Sequence, residues 1–138
     1  MKENLLPKSS LLRTPKDYNR IYKKGTRIQG DNFSLIYTPS TEPGNRLGIS
    51  IHGQLKGAVR RNRIKRIIRE FFRTHKTFMQ MWASQTQTSP AMDIIFAVRK
   101  KFSPNSPADV KQAVTVCIER QNSYLERASS ESEAGSIQ

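Results

Sequence analysis

Between Thr14 and Gly25 the apolar side chains fall three and four residues apart, at Tyr18, Ile21 and Tyr22, the spacing of one helix face. Both boundaries are written beside them. Thr14 can accept from a first-turn amide, Pro15 suits the first helical position, and Asp17 puts negative charge at the positive end of the helix. Gly25 is the stop. Downstream the period changes to two. Arg27–Gln29 predicts a short strand, and Phe33–Tyr37 a longer one with Phe33, Leu35 and Tyr37 on one face and Ser34 and Ile36 on the other. Thr38–Arg46, rich in Pro, Gly, Ser and Asn, predicts a loop leading to a strand over Leu47–His52. A helix is expected from Ala58 to the low eighties, a polar loop over Ser84–Pro90, and a buried strand over Asp93–Val98. Ser106-Pro107-Ala108-Asp109 repeats the first start signal and opens a last helix to about Arg127. Its apolar face is Val110, Ala113, Val114, Cys117, Ile118, Tyr124 and Leu125.

The central helix carries the sharpest pattern. At about 100° per residue, Ile64, Ile67, Ile68 and Phe71 form one contiguous core face, with Phe72 at its edge. Asn62, Lys65, Arg66, Arg69 and Arg73 share a separate arc of about 100°, while Arg63 and Glu70 point elsewhere. Like charges three and four residues apart cost helix stability, and a solvated face normally mixes signs. Here Glu70 is the only acid, with Arg66 as its expected partner. A stripe of one sign therefore points to an anionic ligand. Arginine forks match phosphate oxygens bidentately, and an asparagine can donate to phosphate or read a base edge.

The charge total strengthens that reading. The 138 residues hold 24 Lys and Arg against 11 Asp and Glu, a net +13. Residues 1–30 contribute +6 and residues 56–76 contribute +8, so two segments build the whole positive field. Such a field repels itself until a polyanion neutralises it, making nucleic acid or an anionic membrane the expected partner. The longest apolar run, Ile94–Val98, is too short to span a membrane, and no signal peptide is expected at the N-terminus. The single cysteine, Cys117, allows no internal disulfide and falls on a core-facing position. We expect a cytoplasmic single domain over 11–127, a flexible basic N-terminus over 1–10 and a disordered Ser/Glu tail over 128–138. Asp17, Asp31, Glu70, Asp93 and Asp109 are scattered, without the clustering a metal-dependent nuclease needs. Asp93, just before an apolar strand, reads as structural, and His52 and His75 read as surface or RNA-adjacent residues.

The run Gly57-Ala58-Val59-Arg60-Arg61-Asn62-Arg63-Ile64-Lys65-Arg66-Ile67-Ile68-Arg69-Glu70-Phe71-Phe72-Arg73 resembles the signature helix of the bacterial ribonuclease P protein subunit. Tyr18 and Tyr22 before Lys24-Gly25-Thr26, Leu47-Gly48-Ile49-Ser50 before the helix, and Asp93 with Arg99 around the late strand extend the resemblance over residues 11–125. The resemblance implies an α/β two-layer sandwich, order αβββαβα, with a left-handed βαβ crossover around the basic helix. It implies a holoenzyme subunit whose RNA partner, with Mg²⁺, removes the 5′ leader from precursor tRNA. Arg61, Asn62, Lys65, Arg66, Arg69 and Arg73 would contact the catalytic RNA and nearby phosphates. Tyr18, Tyr22 and Ile36 would line the leader-binding cleft, Ile36 standing where the family often has an aromatic residue. Spacing alone favours both tyrosines packing under the sheet, and the resemblance reverses that reading. His52-Gly53-Gln54 stands where the family usually has two lysines, with Lys56 the nearest cation. The implied partners are the ribonuclease P RNA and the precursor leader, with no membrane and no protein partner. A structural RNA-binding protein of ribosomal type is the alternative.

Overall fold

The computed structural model describes residues 8–40, 44–51, 57–86, 91–99 and 101–120. The N-terminal segment 1–7, His52, Gly53, Gln54, Lys56, Tyr124, Leu125 and the Ser/Glu tail lie outside the described residues. After a short 3-10 turn at Lys8–Ser10 come α1 (Pro15–Lys24), β1 (Thr26–Gln29), β2 (Phe33–Pro39), β3 (Arg46–Ile51), α2 (Ala58–Thr74), α3 (Lys76–Thr86) and β4 (Met92–Val98). A last helix, α4, runs over 107–120. The sheet order is β1-β2-β4-β3. The pairs β1/β2 and β2/β4 are antiparallel; β3 and β4 are parallel, with α2 and α3 between them in the chain.

Local chemistry sets these elements as the sequence suggests. Thr14 caps α1 by accepting from the Asp17 amide at 3.2 Å, and Ser106 does the same for the Asp109 amide at 3.3 Å. At the far end of α1, Gly25 is demanded by space. A Cβ there would lie 2.5 Å from the Ile21 carbonyl oxygen and 2.9 Å from Ile36. The chain thus turns tightly from α1 into β1 against β2.

The expected central helix is divided at His75. Thr74 Oγ1 donates to the Glu70 carbonyl at 2.8 Å, and the His75 amide donates to the Phe71 carbonyl at 3.0 Å while its ring stacks on Phe71. Side-chain bonds to the last-turn carbonyls compete with continuation of the helix. At His75 the backbone leaves helical geometry, and the Met79 amide then bonds the His75 carbonyl to begin α3. The order αβββαβα is kept, with its second helix split in two. The region expected to be a loop from Ser84 is helical as far as Thr86.

Both faces of the sheet are covered. Phe33, Leu35, Tyr37, Leu47, Ile94 and Phe96 meet Ile64, Ile67, Ile68, Phe71 and Phe72 of α2, Met79 and Trp82 of α3, and Val110, Val114 and Cys117 of α4 in the main core. This is the two-layer sandwich. A smaller cluster on the opposite face joins Ile21 and Leu12 to Ile36 and Ile95, with Tyr18 and Ala97 against it, so α1 adds cover there. The edge of β3 is shielded by the chain at Leu11–Leu12: the Leu12 amide donates to the Leu47 carbonyl at 2.8 Å. Among the described residues no helix is long and apolar enough to cross a membrane.

Candidate nucleic-acid interface

The α2 core face is buried as expected, which turns its basic arc outward. Arg61, Asn62, Arg66 and Arg69 are exposed and Lys65 is half-buried. No carboxylate among the described residues pairs with Arg61, Lys65, Arg66 or Arg69. Arg63 is also exposed, off this stripe.

Arg73 differs, and here the sequence expectation needs correcting. Glu70 pairs with Arg73, not Arg66: Arg73 Nε donates to Oε2 at 3.1 Å, and its terminal nitrogen bonds Oε1. Hydrogen bonding from Arg73 holds the Glu70 carboxyl below its ordinary value. Glu70 has candidate cations four residues before it and three after it, both within helical reach. The pairing leaves Arg66 free and occupies the fork of Arg73.

The tyrosines of α1 have different environments. Tyr22 is exposed, with 41% of its surface accessible. Tyr18 is half-buried, its ring lying over Gly48 of β3 and its hydroxyl bonded to the Ile49 backbone. A Cβ at position 48 would stand 2.8 Å from the Tyr18 hydroxyl oxygen, so glycine is what allows the ring to sit there. Burial raises the Tyr18 phenol above its usual range, against the Ile49 bond and the nearby positive charge of Arg69. Arg69 of the α2 stripe thus lies close enough to Tyr18 for its charge to act on the phenol. Ile36 is corrected: only 1% exposed, it is sealed among Leu12, Ile21 and Ile95. Alternation correctly assigned it the face opposite Phe33, but α1 covers that face at Ile36.

Two polar groups of this face, Asp93 and Arg99, have partners that the sequence does not show. Asp93 is structural, as expected: it is fully buried and bonded by Arg20 and Arg46. Burial alone would raise its carboxyl, but hydrogen bonds from Arg46, Arg20 and Ser40 outweigh that and hold it below the ordinary value. Arg46 stands opposite Asp93 in the β3/β4 register, which sequence alone does not reveal. Arg99 reaches Gln29 at 2.6 Å and Ser34 at 3.1 Å, lying at the end of the strand face that Ile36 and Ala97 share. The resemblance names Arg99 beside the late strand, but its partners lie on β1 and β2, far away in the sequence.

A metal site does not assemble from these groups. Among the described residues no three His, Cys, Asp or Glu side chains gather, and Asp17 and Asp93 are both engaged by arginines. A hollow of about 310 Å³ lies between the Gly30–Phe33 turn and α4.

A one-sign, exposed arginine stripe beside a partly exposed tyrosine face, on a small α/β scaffold, defines a nucleic-acid-binding domain. Residues 6–122 match the family model for ribonuclease P. The ribonuclease P protein component of Desulfotalea psychrophila is 44% identical over 114 residues, covering 83% of this chain and 88% of that protein. That of Petrotoga mobilis is 34% identical over 105 residues, covering 76% and 81%. Among solved structures, the Staphylococcus aureus RNase P protein superposes with a TM-score of 0.64 at 29% identity, covering 83% of this chain and 96% of that one. The Thermotoga maritima RNase P protein gives 0.60 at 26% identity, covering 79% and 94%. The chain belongs to the ribonuclease P protein family.

Proposed function

We propose that this chain is the protein subunit of a ribonuclease P holoenzyme and assists RNA-catalysed removal of the 5′ leader from precursor tRNA. The observation that carries the reading is the stripe Asn62, Lys65, Arg66 and Arg69, with Arg61 beside it, largely exposed and without carboxylate partners among the described residues, and with Arg69 near Tyr18 of α1. The stripe binds the catalytic RNA through phosphate oxygens. Guanidinium forks hold those oxygens in fixed geometry, and release of counterions supplies affinity. Tyr22 offers an exposed ring on which an unpaired leader base stacks, while Tyr18, seated on β3, fixes the floor beside it. Arg73 serves the interface only when its pairing with Glu70 yields.

The hydrolytic chemistry belongs to the RNA partner and its Mg²⁺, since the donor set of this chain does not fit a metal site among the described residues. The contribution of the protein is binding and orientation: it brings the leader and the catalytic RNA together so that one phosphodiester is cut, leaving a 5′-phosphate on the tRNA. Reconstitution tests this. Adding the protein to a ribonuclease P RNA at low Mg²⁺ should permit cleavage at the mature 5′ end, while RNA-free protein with Mg²⁺ should cut nothing. Binding to the RNA without any gain in cleavage would assign a purely structural role instead.

A further inference from the structure

Asp93 has no exposed surface, and besides Ser40 two arginines hold it. From β3, Arg46 grips it bidentately, Nε to Oδ1 at 2.8 Å and Nη2 to Oδ2 at 2.7 Å. From α1, Arg20 donates to Oδ2 at 2.5 Å. Asp17, one turn earlier on α1, closes the set at 3.6 Å from Arg20 and 3.9 Å from Arg46. Four charged side chains thus tie one helix to two strands.

The apolar contact beneath α1 is small, with Ile21 as its one fully buried residue. Apolar burial supplies energy without direction, whereas bidentate arginine–carboxylate bonds fix geometry. A helix resting on little more than one isoleucine and a half-buried tyrosine has its rotation set by its charged tether. Arg20 falls between Tyr18 and Tyr22 in the chain. A rotation that pulled Arg20 from Asp93 would also lift Tyr18 from Gly48 and change the direction of the exposed Tyr22 ring.

We propose that the Asp17–Arg20–Asp93–Arg46 network is a positioning device that sets the rotation of α1, and through it the preference for substrates bearing a leader. Arg20 and Asp93 are positioning residues that act through the tyrosines. The proposal rests on the reading of Tyr22 as a leader contact.

The test uses the holoenzyme reconstituted from the full chain and ribonuclease P RNA, with Arg20→Gln, Tyr22→Ala and the double variant. Arg20→Gln leaves Asp93 both bonds from Arg46, so the fold persists, and a melting curve verifies it. The readouts are the affinity ratio of precursor to mature tRNA and its dependence on salt. Arg20→Gln should lower the ratio by at least half of the logarithmic loss that Tyr22→Ala causes, with the salt slope unchanged. The double variant should lose no more than Tyr22→Ala alone. A wild-type ratio in Arg20→Gln overturns the proposal, as do losses that add in the double variant. A slope flattened by about 0.7 also overturns it, because Arg20 would then be a direct phosphate contact. If Tyr22→Ala keeps the full ratio, the leader reading fails and the proposal falls with it; if Tyr22→Ala loses it and Arg20→Gln does not, only the proposal fails. Should Arg20→Gln melt too low to assay, Asp17→Asn removes only the two longer ion pairs and must lower the ratio in the same direction. An unchanged ratio there is equally fatal.

Discussion

Replacing Gly48 by alanine adds one methyl group at the place where α1 meets β3. Gly48 is not among the positive-φ glycines, so the alanine backbone is at ease and the perturbation is purely steric. The new carbon would stand 2.9 Å from Tyr18 Cζ and 3.0 Å from Leu12 Cδ1. Carbon atoms prefer separations of about 3.5–4.0 Å, so the ring must retreat by on the order of 0.6–1 Å. Overpacking of this kind costs about 1–3 kcal/mol, offset in part by the roughly 0.4–1 kcal/mol that Gly→Ala gains by restricting the unfolded chain. In a Tyr18→Ala background the obstruction is gone, Leu12 can shift, and the same substitution should be neutral or mildly stabilising. Denaturant unfolding of the four free proteins in this cycle measures the coupling, expected at about 1–3 kcal/mol. If Gly48→Ala costs the same in both backgrounds, within about 0.5 kcal/mol, the ring does not rest on β3 and the account of α1 seating is wrong. The same variant should weaken precursor binding more than mature tRNA binding, because the displaced ring belongs to the tyrosine face.

Three further outcomes are expected. Arg66→Ala or Arg69→Ala should flatten the salt dependence of RNA binding by about 0.7–0.9 per lost contact, and Arg63→Ala should not; equal effects from filter binding across a salt series would refute the helical-face assignment. Glu70→Gln should release Arg73 and strengthen RNA binding, with a steeper salt slope in the same assay. Asp93 has a depressed carboxyl, so its stabilisation is complete above the unfolded value near 3.9 and is lost as pH falls through the lower folded value. Asp93→Asn should therefore cost about 3 kcal/mol at neutral pH, where it takes the buried carboxylate from Arg46 and Arg20, and reduce the acid lability seen in unfolding curves below about pH 4.

Periodicity and caps carried the local structure. Thr14-Pro15-Lys16-Asp17 and Ser106-Pro107-Ala108-Asp109 open helices where they say they do, because each contains its own hydrogen-bond acceptor. The two faces of β2 and the core face of α2 follow from spacing alone. Long-range pairing was hidden. Nothing local distinguishes Arg66 from Arg73 as the partner of Glu70, and the meeting of Arg20, Arg46 and Asp93 depends on a strand register set across more than forty residues. Ile36 shows the same limit: its face was readable, but the helix that covers it was not. The break at His75 escaped because Thr74 and His75 look ordinary in a helix until their side chains turn back on it.

The sheet order has a consequence for how the chain acquires its shape. Among the described residues β4 is the last strand, yet it lies between β2 and β3 and is the only strand with which β3 is paired. Until Met92–Val98 has been synthesised, β1 and β2 can form no more than a marginal hairpin, and β3 has no strand to join. The apolar face of α2 waits with it, since its floor is made partly by Ile94 and Phe96. Assembly is thus delayed to a late, nearly all-or-none step dominated by contacts distant in sequence, the arrangement that slows folding. During that interval on the ribosome the basic segment of α2 is already exposed without its scaffold. Tight, oriented RNA binding then begins only when the final strand slides into the middle of the sheet.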